Sequence, residues 1–365
     1  MSGRTRRSVL IVQPYVPAYR VALFEQLRDR LDDEGIDLRV AAGTPDGEQA
    51  ARGDSTAPEW LTSLRARRAG PLILTRSGGE LGDAAGVVFP LMGTWGELNQ
   101  RLLLRKLGAR RRVGVWGHAA PFVARANPAD AAVERWQMRN ADRVFTYTPA
   151  GADFAVSAGT SRDRITVLMN TIDTTALEEA CAQVSAADLE QFRARYGLAA
   201  GAVVAYVGGL DESKRIDALV EALDGLWVTR PDVRVLIGGQ GAQSPMLQPA
   251  VQRGQAIMLG YVGAQEKALM ARAASVLLNP GRVGLIAVDA LVMGLPLVTL
   301  RSDFHAPEIA YLEEGVSLHT TSSAAELAPL VLSVLASHGL PETHTYPRLP
   351  DMVERFASGL SEMLR

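Results

Sequence analysis

Residues 203–223 read VVAYVGGLDESKRIDALVEAL. Val203 to Val207 run without a polar break, the pattern of a strand buried on both faces of a parallel sheet. Gly208 and Gly209 end the run, and a polar turn follows. From Ile216 the apolar residues Leu219, Val220 and Leu223 recur at helical spacing. Strand, glycine turn and helix together form the unit from which open α/β sheets are wound. Glycines let a bulky anion approach the backbone, while helix N–H groups and a cation neutralise it. Gly208, Gly209, Lys214 and Arg215 are therefore candidate ligands for such an anion. The plainer reading is a surface turn with two solvated basic side chains.

The same alternation extends in both directions. Downstream, LIGGQG (236–241), AIMLGYV (256–262), SVLLNPG (275–281), PLVTL (296–300) and VSLHT (316–320) read as strands separated by amphipathic stretches. Upstream, so do SVLIVQP (8–14), IDLRVAAG (36–43), PLILTR (71–76), GVVFPL (86–91), RVGVWGH (112–118) and RVFTYT (143–148). Two successive doubly wound parallel-sheet units are predicted, with the linker near residues 165–175 and an amphipathic terminal helix, VERFASGLSEMLR. A chain of 365 residues is long enough for two such domains.

Composition narrows the class. Apolar residues make up 47% and charged residues 21%, ordinary globular proportions. Aromatics at 6% do not suggest a stacking-based nucleic-acid binder, and none is expected as partner. One cysteine, Cys181, has no partner for an internal disulfide and fits a reducing compartment. The N-terminal apolar run, Val9 to Val12, is too short for a signal peptide, and no stretch has the roughly 20 apolar residues of a membrane span. A cytoplasmic location is expected. Charge is uneven: residues 1–165 hold 24 Arg and Lys against 18 Asp and Glu, although the chain's net charge is −2. Only three of the 38 basic residues are lysines: Lys106, Lys214 and Lys267.

Ligands of open parallel sheets bind beyond the carboxyl ends of the strands, and further candidates stand there. In NPGRVGLIAVDAL (279–291), Asp289 lies one turn into a helix. It reads either as an acceptor for ribose hydroxyls or as an acid complementing the helix dipole. In HAPEIAYL (305–312), Glu308 follows a proline, which also suits the first turn of a helix. His118 closes the strand RRVGVWGH and reads as a structural or a reactive imidazole. Absent motifs exclude as much as present ones suggest. Asp-x-Asp, GxxxxGK[ST], HExxH, GxSxG and metal-spaced Cys/His clusters are all missing. GGQGAQS (238–244) lacks the third glycine of a dinucleotide fingerprint, which argues against a dehydrogenase.

Together these segments resemble the retaining glycosyltransferases of family 4, with the GT-B fold. YVGGLDESKRIDALVEAL, LIGGQG, LGYV, NPGRVGLIAVDALVMGLPLVTL and HAPE carry the resemblance in the C-terminal half. QPYVPAYR, VWGHAAPF and RVFTYT through NTID carry it more loosely in the N-terminal half. The resemblance implies two Rossmann-like domains facing a cleft. Residues 1–168 would bind the acceptor, with the 350–365 helix packing back on them, and residues 169–349 would bind the nucleotide-sugar donor. Lys214 matches the lysine that contacts the donor diphosphate. The arginine expected near position 209 is Gly209, for which Arg215 or Arg282 would substitute. Gly284 and Leu285 match the backbone that cups phosphate and sugar. Of the family's paired glutamates, the first falls on Gly281 and the second on Asp289. Glu308 matches a glutamate near the diphosphate or sugar, and His118 a histidine near the reacting sugar. Tyr261 and Val262 sit where backbone meets the nucleobase, and Tyr19 and Arg20, with the loop after His118, on the acceptor side.

The expected activity is transfer of a sugar from a nucleotide diphosphate to an acceptor, with retention, without metal or cofactor. Two alternatives stay open: a nucleotide-sugar epimerase on the same fold, and a non-catalytic nucleotide-binding scaffold. Residues 97–112, with Arg101, Arg105, Lys106 and Arg110 to Arg112 beside a leucine stripe, read either as a packed helix with a solvated basic side or as a peripheral membrane contact.

Overall fold

The computed structural model describes residues 6–45, 56–64, 66–69, 72–75, 78–91, 93, 96–119, 128–198, 202–337, 340 and 345–365. It divides into two compact units. The first comprises the described residues up to Asn170 together with Leu349–Arg365, and the second those from Thr171 to Arg348.

The first unit is built on β1 (Arg7–Gln13), β2 (Ile36–Ala42), β3 (Leu61–Ser63), β6 (Gly86–Pro90), β7 (Arg112–Gly117), β8 (Arg143–Thr146) and β9 (Ile165–Val167). They form one sheet in the order β3-β2-β1-β6-β7-β8-β9, every neighbouring pair parallel. Val9 to Val12 are buried on both faces, which is why the middle of this central strand is a continuous apolar run. One prediction fails here. PLILTR is not a strand of the parallel sheet, for β5 (Leu72–Thr75) pairs antiparallel with β4 (Ala66–Ala69) in a separate hairpin. Conversely Ile165–Val167, expected to lie in the linker, is the edge strand beside β8.

The second unit repeats the architecture with β10 (Val203–Val207), β11 (Arg234–Gly238), β12 (Ala256–Gly260), β13 (Val276–Leu278), β14 (Leu297–Leu300) and β15 (Leu318–Thr321). Their order is β12-β11-β10-β13-β14-β15, again wholly parallel. Apolar clusters fill both faces of each sheet. The winding reverses between β1 and β6 and between β10 and β13, the two switch points at which doubly wound sheets open for ligands.

The helix Leu349–Met363 belongs to the first unit. Phe356 sets its ring 4.9 Å from Trp116 and 4.8 Å from Phe145, while Arg30 grips Glu354 through two hydrogen bonds of 2.7 and 3.0 Å. Gly359 makes this approach possible, since a Cβ there would lie 2.6 Å from the Phe145 ring. Among the described residues no helix is long and apolar enough to cross a membrane.

Candidate functional site

The site in the second unit is assembled across its switch point. β10 ends at Val207, and Gly208 adopts φ 153°, sending its N–H to Gly238 O at 2.9 Å. The Tyr206 hydroxyl donates to Gly209 O at 2.6 Å, and Asp211 accepts from Ser213 N at 3.0 Å, which tightens the turn. A 3₁₀ turn, Glu212–Lys214, then leads through Arg215 (φ 51°) into the helix Ile216–Thr229. A left-handed non-glycine residue costs on the order of 1 kcal/mol, and this one immediately follows Lys214.

From the neighbouring β13 comes the segment 279–285. Lys214 Nζ donates to Arg282 O at 2.6 Å, and Arg282 N donates to Ser213 O at 2.8 Å. The turn after β10 is thereby bound to the loop after β13. The contact is so close that a Cβ on Gly281 would stand 2.2–2.5 Å from the Lys214 backbone. The glutamate that the resemblance led one to expect at position 281 has no room here: Lys214's own main chain occupies the place where its side chain would begin. Gly239 is held similarly, its hypothetical Cβ 1.8 Å from Gly208 O.

Asp289 lies in the first turn of the helix Ile286–Met293, which no side chain caps, and its carboxylate is only 7% exposed. It receives Lys267 Nζ at 2.8 Å, so the acid predicted to meet a ribose is already half of an ion pair. Arg215 forms a bidentate pair with Asp217 (2.8–3.0 Å), which neutralises the cation proposed to stand in for the missing arginine. The described contacts of Arg282 are those of its backbone. Gly284 and Leu285 are half-buried at the head of the helix, and Glu308 is buried in the 3₁₀ turn Pro307–Tyr311. Val262 is buried after β12, whereas Tyr261 is 55% exposed.

His305 went unassigned in the sequence and proves to be the brace of this loop. Its Nδ1 accepts from Val283 N at 3.0 Å, and its Nε2 faces Leu300 O at 2.9 Å and must donate to it. Only the neutral imidazole protonated on Nε2 satisfies both partners. Burial, followed by the nearby charges of Lys214 and Arg282, holds its pKa below the ordinary 6.5, against the opposing pull of the Leu300 carbonyl. Below about pH 6.5 the unfolded chain therefore binds a proton that the folded one refuses, so this contribution is present above that pH and is lost as pH falls. We expect the unfolding midpoint of wild type to drop more steeply between pH 7 and 5.5 than that of His305→Gln. Equal slopes would acquit His305.

The first unit gathers its own group. Arg20, 6% exposed, stands at the N-cap of the helix Val21–Asp32. Its Nη2 donates to Asn170 Oδ1 at 2.7 Å, and its Cζ lies 5.0, 5.2 and 5.6 Å from the rings of Trp116, Tyr19 and Tyr147. His118 is half-buried with its ring 4.5 Å from that of Tyr147. Ala119 (φ 52°) and Met169 (φ 57°) flank this group in left-handed conformations. Tyr19, Arg20 and His118 are thus brought together at the carboxyl ends of β1, β7 and β8. The loop after His118, residues 120–127, lies outside the described residues.

Half of the cations of the basic stretch 97–112 are held in ion pairs. Arg101 pairs with Glu97 at 2.7 Å, Arg105 and Arg112 share Asp142 at 3.2 and 3.1 Å, and Arg111 donates to the carbonyls of Gly82 and Ala84. Its leucines divide, with Leu98 and Leu102 buried and Leu103, Leu104 and Leu107 exposed.

Sequence reasoning missed two functional side chains, His305 and the partner role of Lys267. The rarity of lysine pointed to the second. His305 carried no signal beyond its place before Ala-Pro-Glu.

Residues 201–337 match the family model described as glycosyl transferases group 1. The glycogen synthase of Mycobacterium tuberculosis is 27% identical over 212 residues, which are 56% of this chain and 48% of that protein. The chain thus aligns with about half the length of the curated relatives it matches. Among solved structures, HepE of Anabaena in complex with UDP and glucose superposes with a TM-score of 0.67 at 15% identity, covering 98% of this chain and 99% of that one. UDP-GlcNAc 2-epimerase of Methanocaldococcus jannaschii gives 0.58 at 14% identity, covering 97% and 99%. These likenesses establish the GT-B fold.

Proposed function

We propose that this chain is a retaining, metal-independent glycosyltransferase of the family 4 kind, taking a sugar from a nucleotide diphosphate. The second unit is the donor half and the first the acceptor half. One observation carries the reading: the Lys214 ammonium lies at the switch point of the second sheet, bonded to the loop 279–285, within the segment that matches the glycosyl transferases group 1 model.

Breaking the anomeric bond leaves negative charge on the departing diphosphate and positive charge on the sugar ring. Lys214 and the uncapped head of the helix Ile286–Met293 meet the first with an ammonium and backbone N–H groups. Val283 N is already engaged by His305, so that imidazole holds the cradle in shape. Asp289, anchored by Lys267, offers its second oxygen to ribose hydroxyls. Retention follows from attack on the face the diphosphate leaves, with the donor phosphate taking the acceptor's proton. His118 and Glu308 are assigned to the reacting sugar.

The test is a thermal-shift panel of nucleoside mono- and diphosphates and their sugars, beginning with UDP because HepE was captured with it. A diphosphate at a hundredfold excess over Kd stabilises by about 2.7 kcal/mol. We expect one nucleoside diphosphate to raise the midpoint well beyond its monophosphate; no response to any of them removes the donor reading. An epimerase is the second reading, favoured by the epimerase superposition. It would release altered sugar and free nucleotide with no acceptor added, so product analysis separates the two.

A further inference from the structure

We infer that Arg20 is the anion-binding centre of the first unit, and that the acceptor is held there by a phosphate or carboxylate group. The argument begins with an imbalance. Arg20 is 94% buried by difference from its 6% exposure, and among the described residues no carboxylate lies within ion-pair distance of it. Its Nη1 is buried without a hydrogen-bond acceptor. Burying a guanidinium without a counter-ion is expensive, and an unmet N–H on a charged group costs more than a neutral one.

The surroundings offset part of that cost without supplying a negative charge. Trp116, Tyr19 and Tyr147 bring aromatic rings within 5.0–5.6 Å of the charge, a weak compensation that a ring quadrupole can supply. Asn170 takes Nη2 with a neutral oxygen rather than a carboxylate. The helix beginning at Val21 adds to the imbalance. Its positive end lies beside the cation, and its first turn has neither an acidic residue nor a side-chain cap. A fork of in-plane donors with one prong satisfied is the geometry that phosphate and carboxylate oxygens complete. These residues sit at the carboxyl ends of β1, β7 and β8, on the ligand side of a parallel sheet, and Tyr19 at their edge is 40% exposed.

Identifying the anion as part of the acceptor rests on the proposed transferase function, but anion binding itself is measured without any donor. The experiment uses the full chain carrying Lys214→Ala, which removes the ammonium of the other unit. Inorganic phosphate and acetate are titrated against it by calorimetry and by thermal shift, the two arms separating a phosphate from a carboxylate acceptor. Saturable binding of one of them is expected. Adding Asn170→Asp, nearly isosteric, places a carboxylate on the guanidinium and should weaken that binding about tenfold or more. Arg20→Gln should do the same, and Asn170→Asp keeps the test sharp if Arg20→Gln fails to fold. Phosphate and acetate both failing to bind, or binding unchanged in Asn170→Asp, overturns the assignment. Anion binding that persists while the wild-type chain, with Lys214 in place, turns over no nucleotide sugar leaves the Arg20 site standing and sinks the transferase instead.

Discussion

Lys214→Ala is expected to lower turnover by about 100- to 1,000-fold while the fold remains intact, the usual consequence of removing one preorganised contact to charge that develops in the transition state. The structure argues that the fold will survive. The side chain donates to the Arg282 carbonyl, and the neighbouring main-chain bond from Arg282 N to Ser213 O does not depend on it. A lost bond of this kind costs about 1 kcal/mol of stability, far less than the barrier increase. Lys214→Arg sharpens the test. A guanidinium keeps the charge but not the point geometry of an ammonium in a loop so tightly apposed, so activity should return only in part. The measurement is kcat and KM for donor, with circular dichroism and the unfolding midpoint as controls. Wild-type kcat in Lys214→Ala would remove the residue from the mechanism.

How far the sequence could be read depended on whether each signal was local. Val203–Val207 and Val9–Val12 were legible because a strand buried on both faces must be continuously apolar. The turn at Gly208-Gly209 was legible because chain reversal there puts Gly208 at φ 153°, a conformation that favours glycine. Three-residue strands such as β3 and β9 carry too few residues for a period to show, and the β4–β5 hairpin was hidden because an apolar tetrapeptide has no direction written in it. The site divides along the same line. Lys214 announced itself by position and rarity. Asp289 read as a free acid, since its partner Lys267 lies 22 residues away on another helix. Arg20 and Asn170 are 150 residues apart, and no local pattern encodes that one bears a charge and the other declines to neutralise it.

Gly281→Glu, which would install the glutamate that the resemblance leads one to expect there, should damage the protein. A Cβ at 281 would sit 2.2 Å from Lys214 C, 2.3 Å from its Cα and 2.5 Å from its O. These are main-chain atoms that cannot swing aside as a side chain would, so the turn after β10 and the loop after β13 must part. Separation breaks two hydrogen bonds together, Arg282 N to Ser213 O and Lys214 Nζ to Arg282 O, and releases the ammonium from the loop that positions it. Even Gly281→Ala introduces the offending atom. Overpacking of this kind costs about 1–3 kcal/mol, and we expect at least that loss in both variants, with turnover falling along with stability because the same contact serves both. The unfolding midpoint and kcat of the two variants check this directly. Gly281→Glu with wild-type stability and higher activity would show that the approach of the two loops is loose and that the glutamate's place has been vacant all along. The expected result means the opposite: the glycine belongs to a differently built junction, in which direct contact between the two loops replaces a side chain.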